Sequence, residues 1–205
     1  MKKIENYDDI KVTENKPVLQ VGGYECVIKN VKHFEHNGIK KISLELDIAN
    51  GEFKDYYQNK YDERNGDAKY WDDGATLSFP EEPIEDKEKS YFKGLITAIQ
   101  SYNQNYIWNW DEESLKGLKI NCNFSLKEYE GSDGNIYTKP QVSRFVNSKD
   151  NFKKDYVPTV RTINNEFIKY EDYKNRSVNT AKDIFDDVVE ISDDKLPFWQ
   201  KLKNL

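Results

Sequence analysis

The chain has 205 residues and a net charge of −6, from 31 basic and 37 acidic side chains. That length allows one well-filled core, or a core with a long tail. The acidic balance excludes a uniformly cationic polyanion binder, so any nucleic-acid surface has to be a local patch helped by stacking.

Residues 1–17 form a polar lead-in closed by Pro17. Val18 to Phe34 reads as a long strand. Val21, Tyr24, Cys26, Ile28 and Val31 alternate imperfectly, and Gly22-Gly23 suggests a bulge or sharp coil. Asn37-Gly38 is the signal for a tight hairpin turn. The partner strand, Ile39 to Ile48, sets Ile42, Leu44, Leu46 and Ile48 on one face against Lys41, Ser43, Glu45 and Asp47 on the other. After a second turn at Asn50-Gly51, Phe53 to Tyr61 is expected to be a third strand, completing a meander. Residues 62–89 are polar, hold Pro80 and Pro83, and read as a long surface excursion that nevertheless keeps Tyr70, Trp71 and Phe79. Ser90 is the expected cap of a helix from Tyr91 to about Tyr102, with Phe92, Leu95, Ile96 and Ile99 on its apolar face. Asp111 to Gly117 reads as one helical turn stopped by glycine. Leu118 to Glu130 and Ile136 to Asn147 then form a hairpin across a Gly131–Asn135 turn.

Three strands, a helix and a two-stranded hairpin give the order of an OB-fold, a small closed or partly open β-barrel that binds oligonucleotides on one face. A pleckstrin-like or other small barrel would tolerate the same order. The fold expected is therefore mainly β, barrel-like, with one amphipathic helix between strands 3 and 4. The division expected is a lead-in over 1–17, an OB-like domain over 18–160, a linker over 161–182 and an acidic tail over 183–205. From Asp183 to Asp194 the tail has six carboxylates and no basic residue. Such a run resists burial and should stay extended and disordered. It ends in an apolar Leu196-Pro197-Phe198-Trp199 tip, the chemistry of a peptide captured by other proteins. Without these six acids and the three lysines after them, 28 basic and 31 acidic residues remain, a balance of −3.

Cys26 and Cys122 lie in apolar, strand-like surroundings and read as buried small hydrophobes; a disulfide is not expected in a reducing compartment. With histidine only at His33 and His36, ligands are too few for a recognisable zinc site, and no Gly-rich phosphate loop appears. Nothing combines nucleophile, base and orienting group, so neither enzymatic activity nor a cofactor or metal is expected. A nuclease held on carboxylates has only Glu45, Asp47 and Asp55 as candidates, by proximity alone. No stretch reaches the roughly 18–20 apolar residues of a membrane span. The first six residues lack the apolar run of a signal peptide, so a cytoplasmic location is expected.

Aromatic residues are abundant, with 14 Tyr, 10 Phe and 4 Trp. Single-stranded DNA is held by rings under the bases and cations beside the phosphates. The candidate platforms are Tyr56, Tyr57, Tyr61, Tyr70, Trp71 and Phe79. Tyr57 and Tyr61 share a face of the expected third strand and Tyr56 lies on the other. Core packing competes for each ring, and packing over the helix end is the favoured role for Trp108 and Trp110. Lys29, Lys32, Lys40 and Lys41 cluster around the first hairpin. Lys93 projects from the helix, and Lys149, Lys153, Lys154 and Arg161 form a second basic patch. The tail residues expected to engage partners are Asp193, Asp194, Leu196, Pro197, Phe198 and Trp199.

The run Tyr91-Phe92-Lys93-Gly94-Leu95-Ile96-Thr97-Ala98-Ile99-Gln100-Ser101-Tyr102-Asn103, followed by Trp108 to Gly117, resembles a family of bacteriophage proteins found beside replication and recombination genes. The likeness continues through Glu128-Tyr129, Asp133-Gly134, Ser143 to Val146 and Asp150 to Pro158, and so spans roughly residues 20–160. It implies an OB-type core that binds single-stranded DNA without a cofactor. An acidic Pro-Phe ending occurs in such proteins too, although in host-type tips phenylalanine is the last residue, whereas here Trp199 to Leu205 follow Phe198. The function expected is sequence-independent single-stranded DNA binding in phage DNA replication or recombination, inside an infected bacterium, with partners recruited through the tail. The rival is a protein-binding adaptor, or an inhibitor of a host nuclease or recombination factor, on the same barrel. Homo-oligomerisation stays open.

Overall fold

The computed structural model describes residue 5 and residues 17–64, 66, 69–146 and 156–175. The expected tail, with Asp193, Asp194, Leu196, Pro197, Phe198 and Trp199, lies outside the described residues, as do Lys149, Lys153 and Lys154.

Strands β1 (Gly22–His36) and β2 (Ile39–Ile48) form the expected hairpin. Its two turn residues, Asn37 and Gly38, sit at φ 53° and 75°, the left-handed pair that matches strand twist and that Asn-Gly adopts at low cost. The ladder shifts register between Ile28 and Asn30, so Lys29 is the bulged residue. Gly22 and Gly23, where a bulge was expected, instead run in regular register with Phe124 and Asn123.

The segment expected to be the third strand is a helix, α1 (Tyr56–Asp62). Period-2 alternation over Phe53 to Tyr61 is overridden by two local devices. Asp55 turns the chain at φ 58°. The buried Asp47 carboxylate then accepts from the amides of Tyr57 at 2.9 Å and Gln58 at 3.2 Å, satisfying first-turn donors that a helix leaves open. Burial pushes the Asp47 carboxyl pKa up, while the amides of Tyr57, Ile48 and Gln58, together with Lys29, pull against it.

The third strand lies instead inside the polar excursion. β3 (Thr76–Pro80) follows a 3₁₀ turn over Asp73–Ala75 and pairs antiparallel with β2, Phe79 opposite Ile42 and Leu77 opposite Leu44. Helix α2 (Asp86–Tyr102) begins five residues before the expected start. Ser90 is therefore internal, and the Glu88 carboxylate reaches back to the amides of Ile84 and Glu85 at 2.9 and 3.1 Å. This is one arm of a capping box. The aromatic segment after α2 ends in a 3₁₀ turn at Glu112–Leu115, followed by Gly117 at φ 82°, as the sequence suggests. β4 (Lys119–Glu130) and β5 (Ile136–Val146) form the second hairpin.

Two further short strands, β6 (Thr159–Arg161) and β7 (Phe167–Lys169), pair into the same sheet. The expected boundary between domain and linker at 160 thus falls inside β6. Leu126 and Lys127 pair with β5 on one edge and, parallel, with β6 on the other. Since Asn121 to Phe124 pair with both β1 and β5, β1 and β6 share one edge of β4 and β5 occupies the other. The fold is mainly β, a mixed, open seven-stranded sheet with two α-helices.

A closed barrel is not formed. Among the described residues no ladder joins β3 to β5. The 3₁₀ turn that precedes β3 meets β5, where Asp73 pairs with Lys139 and Gly74 sits so close to the Pro140 carbonyl that a Cβ would collide with it. Helix α2 packs against β3, β4 and β5, with Gly94 and Tyr91 on Phe145. One apolar cluster fills the interior, from Leu19 and the inward faces of β1, β2 and β4 to Leu95, Ile96 and Ile99 of α2. Cys26 and Cys122 lie in it as free, buried thiols. Burial, then the neighbouring Cys122, drives the Cys26 thiol pKa well up, so it stays protonated and inert. No described helix is long and apolar enough to cross a membrane.

Candidate functional site

The sequence-derived platforms around α1 are spent largely on the core. Tyr57 is 2% exposed and stacks on Phe124 at 6.1 Å. Phe79 is 3% exposed because alternation on β3 turns it inward with Leu77. Trp71 is half-buried against the core, and its Nε1 donates to the Leu46 carbonyl at 3.1 Å. Tyr56 packs edge-on to Phe53 and Tyr57. Tyr61 lies one helical turn beyond Tyr57, against Trp71 at 5.7 Å. Only Tyr70 of the six stands well out, with the Arg64 guanidinium 4.0 Å from its ring.

Nearby, Asp72 fixes α1 to the 3₁₀ turn. It accepts from Lys60 Nζ at 2.7 Å and from the Gly74 amide at 3.0 Å. Burial opposes its ionisation, yet the Lys60 and Gly74 hydrogen bonds and the charges of Lys60 and Lys139 outweigh it and lower its carboxyl pKa.

Of the first-hairpin lysines, Lys32 is bound to Glu45, which also accepts from Asn30. Lys29 and Lys40 are exposed and Lys41 half-buried. The three carboxylates with nuclease potential are not brought together as a metal site: Glu45 holds Lys32, Asp47 caps α1 and Asp55 turns the chain. No group of three or more His, Cys, Asp or Glu able to hold a metal ion occurs among the described residues.

A concavity opens between α2 and the segment that follows it. It encloses about 710 Å³ and has Ile42, Phe79 and Ile96 in its floor and Lys89, Phe92 and Lys93 along its helical wall. Trp108 and Trp110 form the opposite wall, with Glu81 and Glu112 at its margin. Four rings form a continuous series. Phe79 lies 5.2 Å from Phe92, and Phe92 lies 5.8 Å from Trp108 and 6.4 Å from Trp110. Trp110 is 79% exposed at φ 66°, a left-handed conformation costing a bulky residue about 1–2 kcal/mol. Asn109 Oδ1 accepts from the Asp111 amide at 3.2 Å, bracing the bend that presents the ring. The Trp108 indole nitrogen is buried without a partner among the described residues, leaving an unmet donor in the groove wall.

His33 bridges the acidic margin, Nδ1 3.3 Å from Glu81 and Nε2 3.2 Å from Glu112. The Glu81 amide donates to the Lys40 carbonyl at 3.0 Å, so the first hairpin borders the groove. Of the sequence-derived residues, the groove uses Lys93 on its wall and Phe79 in its floor. Phe92, Lys89, Trp108 and Trp110 were assigned to packing or passed over. Their signal was present in the sequence as a Trp-x-Trp next to an aromatic, lysine-bearing helix face, but exposure and packing look alike at that level.

No family model matches the chain, and no curated protein does.

Proposed function

We propose that this chain is a non-enzymatic, sequence-independent single-stranded DNA-binding protein, built on an OB-like, partly open barrel. The observation that carries the reading is Trp110, held exposed in a strained backbone beside Phe92 and Trp108, over a groove whose helical wall bears Lys89 and Lys93. An exposed ring that costs backbone strain is a functional signal. Bases stack on such rings at about 1–3 kcal/mol each, whatever their sequence, and lysines beside them meet phosphates. The resemblance in sequence to phage replication and recombination proteins agrees with this role, inside the bacterial cytoplasm. The acidic tail then serves to recruit partner proteins through Leu196, Pro197, Phe198 and Trp199.

Titrating labelled oligo-dT at two salt concentrations tests the reading. Binding should weaken with salt, on a shallow slope because few phosphates are neutralised. No binding at micromolar protein refutes it. Truncation after Lys182 should leave DNA affinity equal or higher and abolish partner capture.

A protein-binding adaptor is the second reading, favoured by the mainly apolar lining of the groove and by Glu81 and Glu112 at its margin. It requires retention of a protein partner with no shift of single-stranded or duplex DNA in a gel.

A further inference from the structure

Strand register gathers a second set of cations and rings that the groove does not use. Lys127 on β4 pairs with Lys139 on β5 and with Arg161 on β6, and Arg161 pairs with Phe167 on β7. Residues paired across a ladder project to one face. The four therefore form a single row, about 14 Å long at the usual spacing between strands. Two residues further along β4, Tyr129 pairs with Tyr137 on the same face, their ring centres 5.8 Å apart. Side-chain contacts agree with this placement. Lys139 Nζ lies 5.8 Å from the Tyr129 ring centre, and the Arg161 guanidinium 6.0 Å from that of Phe167.

The row is cationic although the chain is acidic. The carboxylates of these four strands are Glu128 and Glu130. Alternation sends both to the opposite face, and Glu128 is held by Tyr173 Oη at 2.8 Å. At the margin, Asp73 offsets Lys139. Lys127, half-buried in the middle, has no ion pair among the described residues. Arg161 directs Nε and Nη2 to the neutral Asn165 Oδ1 at 3.2 and 2.8 Å, which orients its fork and leaves its charge in place. The rings beside these cations are open: Tyr129 and Tyr137 are exposed, and Phe167 is 70% exposed. Cations next to open rings complement a polyanion with unpaired bases, since Lys and Arg meet its phosphates while the rings take its bases.

We propose that this row is a second contact surface for single-stranded DNA, with phosphates on Lys127 and Arg161 and bases on Phe167 and the Tyr129–Tyr137 pair. It rests on the strand-binding reading above. It shares no residue with the groove, and so lengthens the path of the strand over the protein. Labelled oligo-dT is titrated across a salt series against the full-length protein, Lys127→Ala/Arg161→Ala and Phe167→Ala, with a thermal melt of each. Lys127→Gln/Arg161→Gln keeps polar stems of similar reach and serves if the alanine pair does not fold.

The charge pair should lower the salt slope by about 1.4, the share of two contacts to a single strand. Phe167→Ala should weaken binding about 5-fold or more at fixed salt and leave the slope unchanged, because it removes a ring and no charge. A merely structural role would move the melting temperatures without this split. If the unsubstituted protein binds and every variant matches it in affinity and slope, the row is overturned and the groove reading stands. Tighter binding by the charge pair also overturns it, and marks the row as the seat of a competing acidic segment such as Asp183–Asp194. No binding even by the unsubstituted protein refutes the strand-binding reading and the row together.

Discussion

Trp110 allows its part in binding to be separated from its part in stability. With 79% of the residue exposed, about a fifth of a surface near 250 Å² is covered, so removing the ring costs roughly 1.3 kcal/mol of burial. At φ 66° alanine keeps the strain of the left-handed backbone, whereas glycine releases about 1–2 kcal/mol of it and returns about 0.5–1 kcal/mol as chain entropy. Trp110→Gly should therefore be more stable than Trp110→Ala by about 0.5–1 kcal/mol, or roughly 2 °C in Tm. It should also lie within about 1 kcal/mol of the unsubstituted protein. Both variants lose the same stacking surface, so both should bind oligo-dT about 5- to 150-fold more weakly, the equivalent of 1–3 kcal/mol. Thermal melts and fluorescence anisotropy on the same preparations read the two effects. If Trp110→Gly binds within about two-fold of the unsubstituted protein, the groove is not where the strand stacks. If the alanine variant is the more stable, the strain argument is wrong.

Gly74→Ala should destabilise the fold by about 2 kcal/mol or more, because its Cβ meets the rigid Pro140 carbonyl and not a side chain that can swing away; urea denaturation measures this. Asp47→Ala should cost about 2 kcal/mol by stripping the amides of Tyr57 and Gln58 of their acceptor, and Asp47→Asn less because it keeps one carbonyl oxygen. The pKa of Asp72 is lowered in the fold, so its stabilisation is complete above the ordinary carboxylate range near about 4 and is lost as pH falls through the folded value. Asp72→Asn should accordingly be less stable at neutral pH and flatten the acid side of the stability profile. An unchanged acid limb in melts between about pH 2 and 5 would count against that assignment.

Local chemistry accounts for what the sequence determined alone. Asn37-Gly38 supplies two left-handed residues, so the turn of the first hairpin and the strand Ile39–Ile48 could be read to the residue, whereas β1 runs over Gly22–His36 against an expected Val18 to Phe34. The alternation of Ile120, Cys122 and Phe124 likewise marked the inward face of β4, and all three are fully buried. Contacts distant in sequence decided the rest. Asp47, ten residues before Tyr57, turned an alternating segment into α1. β2 supplied the partner that drew Thr76–Pro80 out of a polar excursion and buried Phe79. The open gap between β3 and β5 depends on where two strand edges stop pairing, a long-range quantity that no local pattern encodes. Ring exposure follows the same rule: Tyr57 and Trp110 are equally aromatic in sequence, and only the neighbours assembled around each bury the first and leave the second open to solvent.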